Sequence, residues 1–280
     1  MILPRTPQTT AAVAAHYNDL DAFYREVWGD HVHHGYWATG RETPAEAAEA
    51  LVDLLADRLD LRPGLAVVDI GCGYGETARR LAAVWGVSVT GLTVSSAQAN
   101  HAATKVAAGG RVEIVLRDWL ANGLPDACFD RAYAIESSEH IPDKQRFFDE
   151  AFRVLRPGGI LAVYAWLSKT APRPWEVRHL LEPICREGRL PGMGDEADYR
   201  AMAEAAGFRV ELVSDISDRV RRTWSICLRR VVGKLATEAR YRRFLMERTA
   251  ENRVFALTLG RLLLAYRTRS MRYCLLVLHK

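Results

Sequence analysis

The chain has 280 residues, 49% of them hydrophobic and 26% charged, with 20 glycines and 11 prolines, values that exclude disordered, collagenous and low-complexity proteins. Its longest unbroken apolar run, Ile160–Leu167, falls far short of the roughly 20 residues a membrane span requires. The net charge of +4 hides a split, since residues 219–280 hold 16 Lys and Arg against three Glu while residues 1–218 carry a net −9.

Residues 11–28 and 44–60 have helical composition, the second opening with Pro44 at a first-turn position. Strand-like and helix-like segments then alternate. Leu65–Ile70 reads as a strand, Glu76–Trp85 as a helix, Val87–Leu92 as a strand, Ala97–Ala107 as a helix and Val112–Leu116 as a strand. Asp130–Ile135 is a further strand, Asp143–Leu155 a helix stopped by Pro157-Gly158-Gly159, and Ile160–Trp166 a strand. The alternation predicts an α/β protein built from right-handed βαβ units around a parallel sheet. Residues 168–194, rich in Pro, Arg and Gly, predict an irregular connection. Asp195–Ala206 reads as a helix, Phe208–Val213 as a strand, 219–267 as helices and Met271–His279 as a final strand.

A helical excursion this long between the last two strands predicts a lid or substrate-shaping cap. Leu235, Phe244, Leu245, Phe255 and Leu259 can face inward there while the arginines face out. The expected division is an N-terminal helical segment over 1–60, a core over 61–214, a cap over 215–268 and a final core strand over 269–280. The basic segment reads in two ways. It could mark an anionic partner, such as peripheral contact with an anionic membrane, or its arginines could coat helices and answer the acidic N-terminal part. Five dispersed cysteines with no Cys-x-x-Cys pair point to reduced thiols. The first residues lack the apolar core of a secretory signal, so a cytoplasmic setting is expected.

The sharpest signal is Val67-Val68-Asp69-Ile70-Gly71-Cys72-Gly73-Tyr74-Gly75. A β-branched strand ends in an acid and turns through glycines into a helix, whose N-terminus offers free N–H groups. The Gly-x-Gly-x-Gly spacing and the acid ahead of it both differ from a dinucleotide fingerprint. This stretch resembles motif I of the class I S-adenosylmethionine (SAM)-dependent methyltransferases. Resemblance continues through Gly91-Leu92-Thr93-Val94-Ser95-Ser96-Ala97-Gln98, Arg117-Asp118-Trp119, Phe129-Asp130 and Leu155-Arg156-Pro157-Gly158-Gly159.

The resemblance implies a Rossmann-like, seven-stranded, mostly parallel sheet, with SAM as cofactor, S-adenosylhomocysteine as product and no metal. Asp69, Gly71, Cys72, Gly73 and Gly75 would cradle the amino-acid part of SAM. Thr93 stands where an acid commonly holds the ribose hydroxyls, and the Thr-x-Ser-x-x-Gln variant, with Val94 and Ser95, is similar to that of a small-molecule subgroup including tocopherol methyltransferases. There Thr93 and Gln98 would serve the ribose and carboxylate region, Asp118 would accept from the adenine amino group, and Trp119 would flank it. Ordinary core packing is the alternative for Trp119.

His31-Val32-His33-His34-Gly35-Tyr36-Trp37 holds three imidazoles in four residues without an accompanying Asp, Glu or Cys set at metal spacing. It resembles the segment that closes over SAM in the tocopherol-type subgroup, which implicates His33. Tyr17, in Ala15-His16-Tyr17-Asn18, would be a second contact from the N-terminal helix, or else an aromatic packing one helix on another.

Ala134-Ile135-Glu136-Ser137-Ser138-Glu139-His140-Ile141-Pro142-Asp143 follows the fourth strand, where α/β sheets place ligands. It resembles the Glu-Ser-x-Glu-His-Met-Pro-Asp block of γ-tocopherol methyltransferases, so His140 is the candidate base and Glu139 a second catalytic candidate, with Glu136 toward the SAM amine. A capping or packing histidine is the alternative. Cyclopropane synthases also carry Glu-His here, but this chain has His34 where they use a Cys and Tyr164-Ala165-Trp166-Leu167 where they use a His. The expected activity is methyl transfer from SAM to a hydrophobic small molecule such as a prenylated phenol, alkaloid or terpenoid. Alternatives are a lipid or isoprenoid C-methylase, a cyclopropane synthase, or a cyclase of the same fold that does not methylate. No base-handling or recognition module points to nucleic acid.

Overall fold

The computed structural model describes residues 1–29, 31–105, 111–246 and 255–280, with side chains resuming at Thr258 in the last stretch. Its seven strands are β1 (Ala66–Ile70), β2 (Ser88–Thr93), β3 (Val112–Leu116), β4 (Phe129–Ile135), β5 (Leu155–Ser168), β6 (Arg209–Asp215) and β7 (Met271–His279). They form one sheet in the order β3-β2-β1-β4-β5-β7-β6. All run parallel except β7, which lies antiparallel between β5 and β6. Order reverses between β1 and β4, so their C-terminal ends open a crevice at the switch point where such sheets bind ligands. Val67, Val68, Ala132, Leu161, Ala162 and Leu276 are fully buried, as expected of strands covered on both faces.

Helices α1 (Thr10–Asp19) and α2 (Asp21–Val27) replace the single helix expected over 11–28. The break falls at Leu20, whose ψ of 9° leaves the helical path. Helix α3 (Pro44–Arg58) starts with a reciprocal Thr43–Glu46 capping box and Pro44 in its first turn. Then come α4 (Glu76–Trp85), α5 (Ser96–Ala103) and α6 (Lys144–Val154). Strand β5 starts at Leu155 rather than Ile160, passing through Pro157-Gly158-Gly159 across a register shift against β4.

The stretch 168–194 is largely helical, a correction to the irregular connection expected there. It holds α7 (Pro174–Glu176), a π-helical run Val177–Leu181 and α8 (Glu182–Glu187). Pro174 and Pro183 stand in first-turn positions, where a missing N–H and a fixed φ start a helix instead of breaking one. Helix α9 (Glu196–Ala205) precedes β6.

Between β6 and β7 lie α10 (Ser217–Val220), α11 (Arg222–Thr237), α12 (Ala239–Met246) and α13 (Phe255–Arg267). Leu259 is fully buried, Leu235 packs on the main core and Phe244 on the Leu20–Tyr24–Tyr74 cluster, while Leu245 is half-buried. The Phe255 side chain and residues 247–254 lie outside the described residues. Many basic groups here answer acids and carbonyls elsewhere. Lys234 reaches Glu26 at 2.9 Å, Arg240 meets the same carboxylate, Arg261 reaches Glu187 at 2.6 Å, and Arg230 holds the Val27 carbonyl at 2.6 Å. This matches the reading in which arginines fasten the segment to the acidic part of the chain. Among the described residues no helix is long and apolar enough to cross a membrane.

Candidate active site

Beyond the β1 and β4 C-termini lies a cleft open to solvent. Its floor is the turn after β1. Gly71 and Gly73 have φ of +85° and +52°, a left-handed backbone that glycine adopts without strain. A Cβ on Gly71 would strike Ser137, so that glycine serves the close packing of two loops. A Cβ on Gly73 would meet nothing nearer than Gln98 Nε2 at 4.0 Å, leaving the turn bare toward the cleft. Gly75 also has φ +74°, but it packs on Ile114 as the cap of α4 and lines no described cavity.

Around this floor Thr93 Oγ1 donates to Gln98 Oε1 at 2.7 Å, which turns the Gln98 amide group toward Gly73. Thr93, Val94, Gln98, Asp118 and Trp119 all line the cleft. One Asp118 oxygen accepts from the Leu120 N–H at 2.9 Å. Trp119 lines the cleft, while its indole packs on Phe147 and donates to the Phe147 carbonyl at 3.2 Å. Ser95 is buried outside the cleft, where its hydroxyl donates to Asn18 at 2.7 Å. A contiguous hollow takes in His33, Asp69, Cys72 and Thr77. Burial pushes the Asp69 carboxyl up to about 7, against a 2.6 Å bond from Tyr133 that lowers it. Burial likewise depresses His33, and His31 to about 3. These histidines bond one another at 3.2 Å, and among the described residues no three His, Cys, Asp or Glu side chains converge as a metal site. A bare glycine turn, a hydroxyl–amide pair and a carboxylate line one cleft, a donor and acceptor set that suits the amino-acid, ribose and adenine parts of SAM.

A second, small cavity of about 40 Å³ adjoins the cleft and is walled by Tyr17, Tyr24, Trp28, Val32, Trp166 and Trp224. Tyr17, Val32, Glu136 and His140 line both cavities, so they form the wall the two share. His140 ends a short 3-10 turn, Ser138–His140. Its Nδ1 faces the Arg189 carbonyl at 3.4 Å and its Nε2 lies 3.0 Å from the Tyr17 hydroxyl. A carbonyl can only accept, which places the proton on Nδ1 and makes Nε2 the acceptor of the Tyr17 O–H, a bond that a substrate hydroxyl would have to replace. Burial, with His16 nearby, lowers His140 to about 3, so its ring is neutral.

Glu136 holds a left-handed backbone, φ +54°, at the end of β4, the kind of strain that collects at functional sites. Its carboxylate accepts from the His34 N–H at 2.6 Å, Trp166 Nε1 at 3.1 Å and Tyr273 Oη at 2.9 Å. His34 also brings Nδ1 to 2.9 Å, misaligned for a hydrogen bond but close enough for attraction. Burial raises this carboxyl, yet the pull of His34 and its bonds outweigh burial and lower it overall. Glu139 does not join the site. It is 1% exposed, lines none of the described cavities, and accepts from the Trp166 backbone N–H and from Ser138 Oγ at 3.1 Å. Burial pushes it up to about 7. Its place beneath the turn makes it a support for the loop that carries His140.

Sequence reasoning missed Tyr24, Trp28, Trp224 and the Arg189 carbonyl. Seven tryptophans in the chain were the available signal, but only tertiary packing brings three of them to one chamber.

A family model for mycolic acid cyclopropane synthetase matches residues 5–245. The 27-O-demethylrifamycin SV methyltransferase of Amycolatopsis mediterranei is 34% identical over 98% of this chain and 99% of its own length. Tocopherol O-methyltransferase of Arabidopsis thaliana is 29% identical over 78% of this chain and 68% of its own. Among solved structures, the [4+2]-cyclase SpnF superposes with TM-score 0.81 at 26% identity, covering 100% of this chain and 99% of that one. The mycolic acid cyclopropane synthase CmaA1, complexed with SAH and CTAB, gives TM-score 0.85 at 23% identity over 98% and 99%.

Proposed function

The chain belongs to the mycolic acid cyclopropane synthetase family, within the class I SAM-dependent methyltransferases, and on that footing we propose that it methylates a hydroxyl of a hydrophobic natural product with His140 as general base. The carrying observation is the imidazole itself: neutral, fixed through Nδ1, with Nε2 on the wall common to the SAM cleft and the aromatic chamber. SAM supplies an electrophilic methyl group for in-line displacement. Asp69, His33, Cys72 and the Gly71–Gly73 turn hold its amino-acid end, Thr93 and Gln98 its ribose, and Asp118 with Trp119 its adenine. Tyr17 and Val32 set the distance between the two ligands. Glu136 ties the His34 loop, β5 and β7 together behind them and keeps a negative charge near the sulfonium.

The aromatic walls exclude water, and the neutral imidazole acts as base only where the nearby Glu136 carboxylate, which raises its basicity, outweighs the burial that depresses it. Helices α11 to α13 of the 215–268 segment serve as the cap, since Trp224 of α11 supplies one wall. Full-length similarity to 27-O-demethylrifamycin SV methyltransferase supports oxygen as the acceptor atom. A second reading, cyclisation without methyl transfer, draws on the likeness to the [4+2]-cyclase over the whole chain. His140→Ala tests the first reading. On a phenolic acceptor it should lower kcat on the order of 100-fold with SAM affinity unchanged, and near wild-type turnover would remove the base role.

A further inference from the structure

Of the five lysines in the chain, Lys144 is the one that the fold buries, with 4% of its surface exposed. It is the first residue of α6, where a cation faces the positive end of the helix dipole. Neither burial nor the helix favours an ammonium there. What Lys144 gains is three hydrogen bonds. Its Nζ donates to the carbonyls of Ser138 at 3.4 Å, Glu139 at 3.1 Å and Ile141 at 3.0 Å, which uses every donor an ammonium has. Burial pushes Lys144 down to about 8, with Glu139 opposing, so it keeps its proton at neutral pH.

The three carbonyls belong to the turn that carries His140. Its backbone bonds run from the His140 N–H to Ser137 at 3.0 Å and from the Ile141 N–H to Ser138 at 3.3 Å. Pro142 has no N–H and cannot extend this 3-10 pattern, so the Glu139 carbonyl lacks a donor three residues on. That carbonyl is part of the peptide that enters His140, and fixing it fixes the plane from which the imidazole departs. The contacts of the ring itself come from elsewhere, Tyr17 of α1 and the Arg189 carbonyl after α8, and both need the turn in place. Packing alone would be served by a methionine of similar length, since an apolar side chain often replaces a buried charge at no loss of stability. The charge therefore answers a demand on the shape of the turn.

We propose that Lys144 is a positioning residue for the reaction: its ammonium gathers three carbonyls of the Ser138–Ile141 stretch and so sets the His140 ring on the wall that the cleft and the chamber share. The proposal rests on the methyltransferase reading above and adds the group that holds its base in place.

Nitrogen-15 NMR of the free protein reads this without an acceptor, and five lysines and eight histidines keep the spectra simple. His140 is assigned by the signal missing from His140→Gln. In the wild type its ring should show a single tautomer protonated at Nδ1, and the Lys144 ammonium should exchange with water about tenfold or more slower than the other lysines. In Lys144→Met the two ring nitrogens should average between tautomers. Lys144→Gln, with two side-chain donors in place of three, reads the same loss where the methionine variant does not fold. On a phenolic acceptor kcat should fall about tenfold or more, with KM within a few-fold. A wild-type ring signal or a wild-type kcat in a folded variant would overturn the proposal, even at a lowered Tm. So would a wild-type Lys144 ammonium that exchanges as fast as the other lysines. If the wild type methylates no phenol, methyl transfer to phenols fails as a reading, while the NMR result still decides the role of Lys144.

Discussion

Replacing Gly73 by Val separates the glycine turn as a ligand cradle from the glycine turn as a packing device. At φ +52° any L-residue carries a left-handed penalty of about 1–2 kcal/mol, a fraction of the roughly 5–15 kcal/mol that holds a domain together. The new Cβ meets no protein atom closer than 4.0 Å, so the variant folds. On the proposed reading, its methyl groups stand where the amino-acid part of SAM approaches the backbone. We expect SAM affinity to drop at least about 100-fold, near 2.7 kcal/mol. SAM at 100 times the wild-type Kd stabilises the wild type by about 2.7 kcal/mol, or roughly 5–10 °C in Tm for a chain of this size, and that gain should vanish in the variant. Gly71→Ala gives the opposite pattern, because its Cβ runs into Ser137 and lowers Tm with or without ligand. Calorimetry and paired melting curves read both. A folded Gly73→Val protein with wild-type SAM affinity would refute the cradle.

Four further outcomes follow from the same geometry. Glu139→Gln should leave kcat within a few-fold of wild type while lowering Tm, because its carboxylate bonds the loop and β5 rather than a ligand; a 100-fold loss of kcat at unchanged Tm would restore it to the chemistry. His140 has an unfolded pKa near 6.5 and a folded one near 3, so the unfolded chain takes up a proton that the folded chain refuses. That contribution is complete above pH 6.5 and is lost as pH falls toward 3, at up to about 1.4 kcal/mol per pH unit. Urea unfolding at pH 7.5 and pH 5 should therefore cost the wild type about 2 kcal/mol more than His140→Gln, and equal losses would contradict a buried neutral ring. Glu26→Gln removes the carboxylate that Lys234, Arg240 and Tyr241 share, and should loosen α11–α12 as read by hydrogen exchange; unchanged protection there would deny the clamp. With these cations committed, sedimentation with anionic vesicles should show no salt-sensitive binding, and strong binding at low salt that disappears at high salt would reverse that view.

The strands and the nucleotide end of the sheet were legible because their signals are local. Asp69 and the three glycines sit within seven residues, and the limits of α4, β3 and β7 match the sequence reading. Proline misled at 174 and 183, since a residue that ends most helices also starts them, and the choice depends on neighbours the sequence does not rank. Leu155 was assigned to a helix although it opens β5, because the Phe129–Leu155 pairing that decides it is a long-range contact. Glu136 and Glu139 look equivalent in the sequence. Glu136, with its left-handed backbone, lines both cavities, whereas Glu139 is buried and lines neither. The acceptor chamber was the least legible part, because Trp28, Trp166 and Trp224 come from α2's end, β5 and α11 and meet only after folding.

Methyl transfer to oxygen is tested most directly with SAM carrying a 13C-labelled methyl group and a panel of phenols and alcohols that includes 27-O-demethylrifamycin SV. Proton and carbon NMR of the products, with S-adenosylhomocysteine quantified in the same reaction, should show one labelled O-methyl group for each S-adenosylhomocysteine released, and His140→Ala should slow both together. Conversion of an acceptor with no S-adenosylhomocysteine formed, or label arriving on carbon at a rate indifferent to His140, would contradict the assignment.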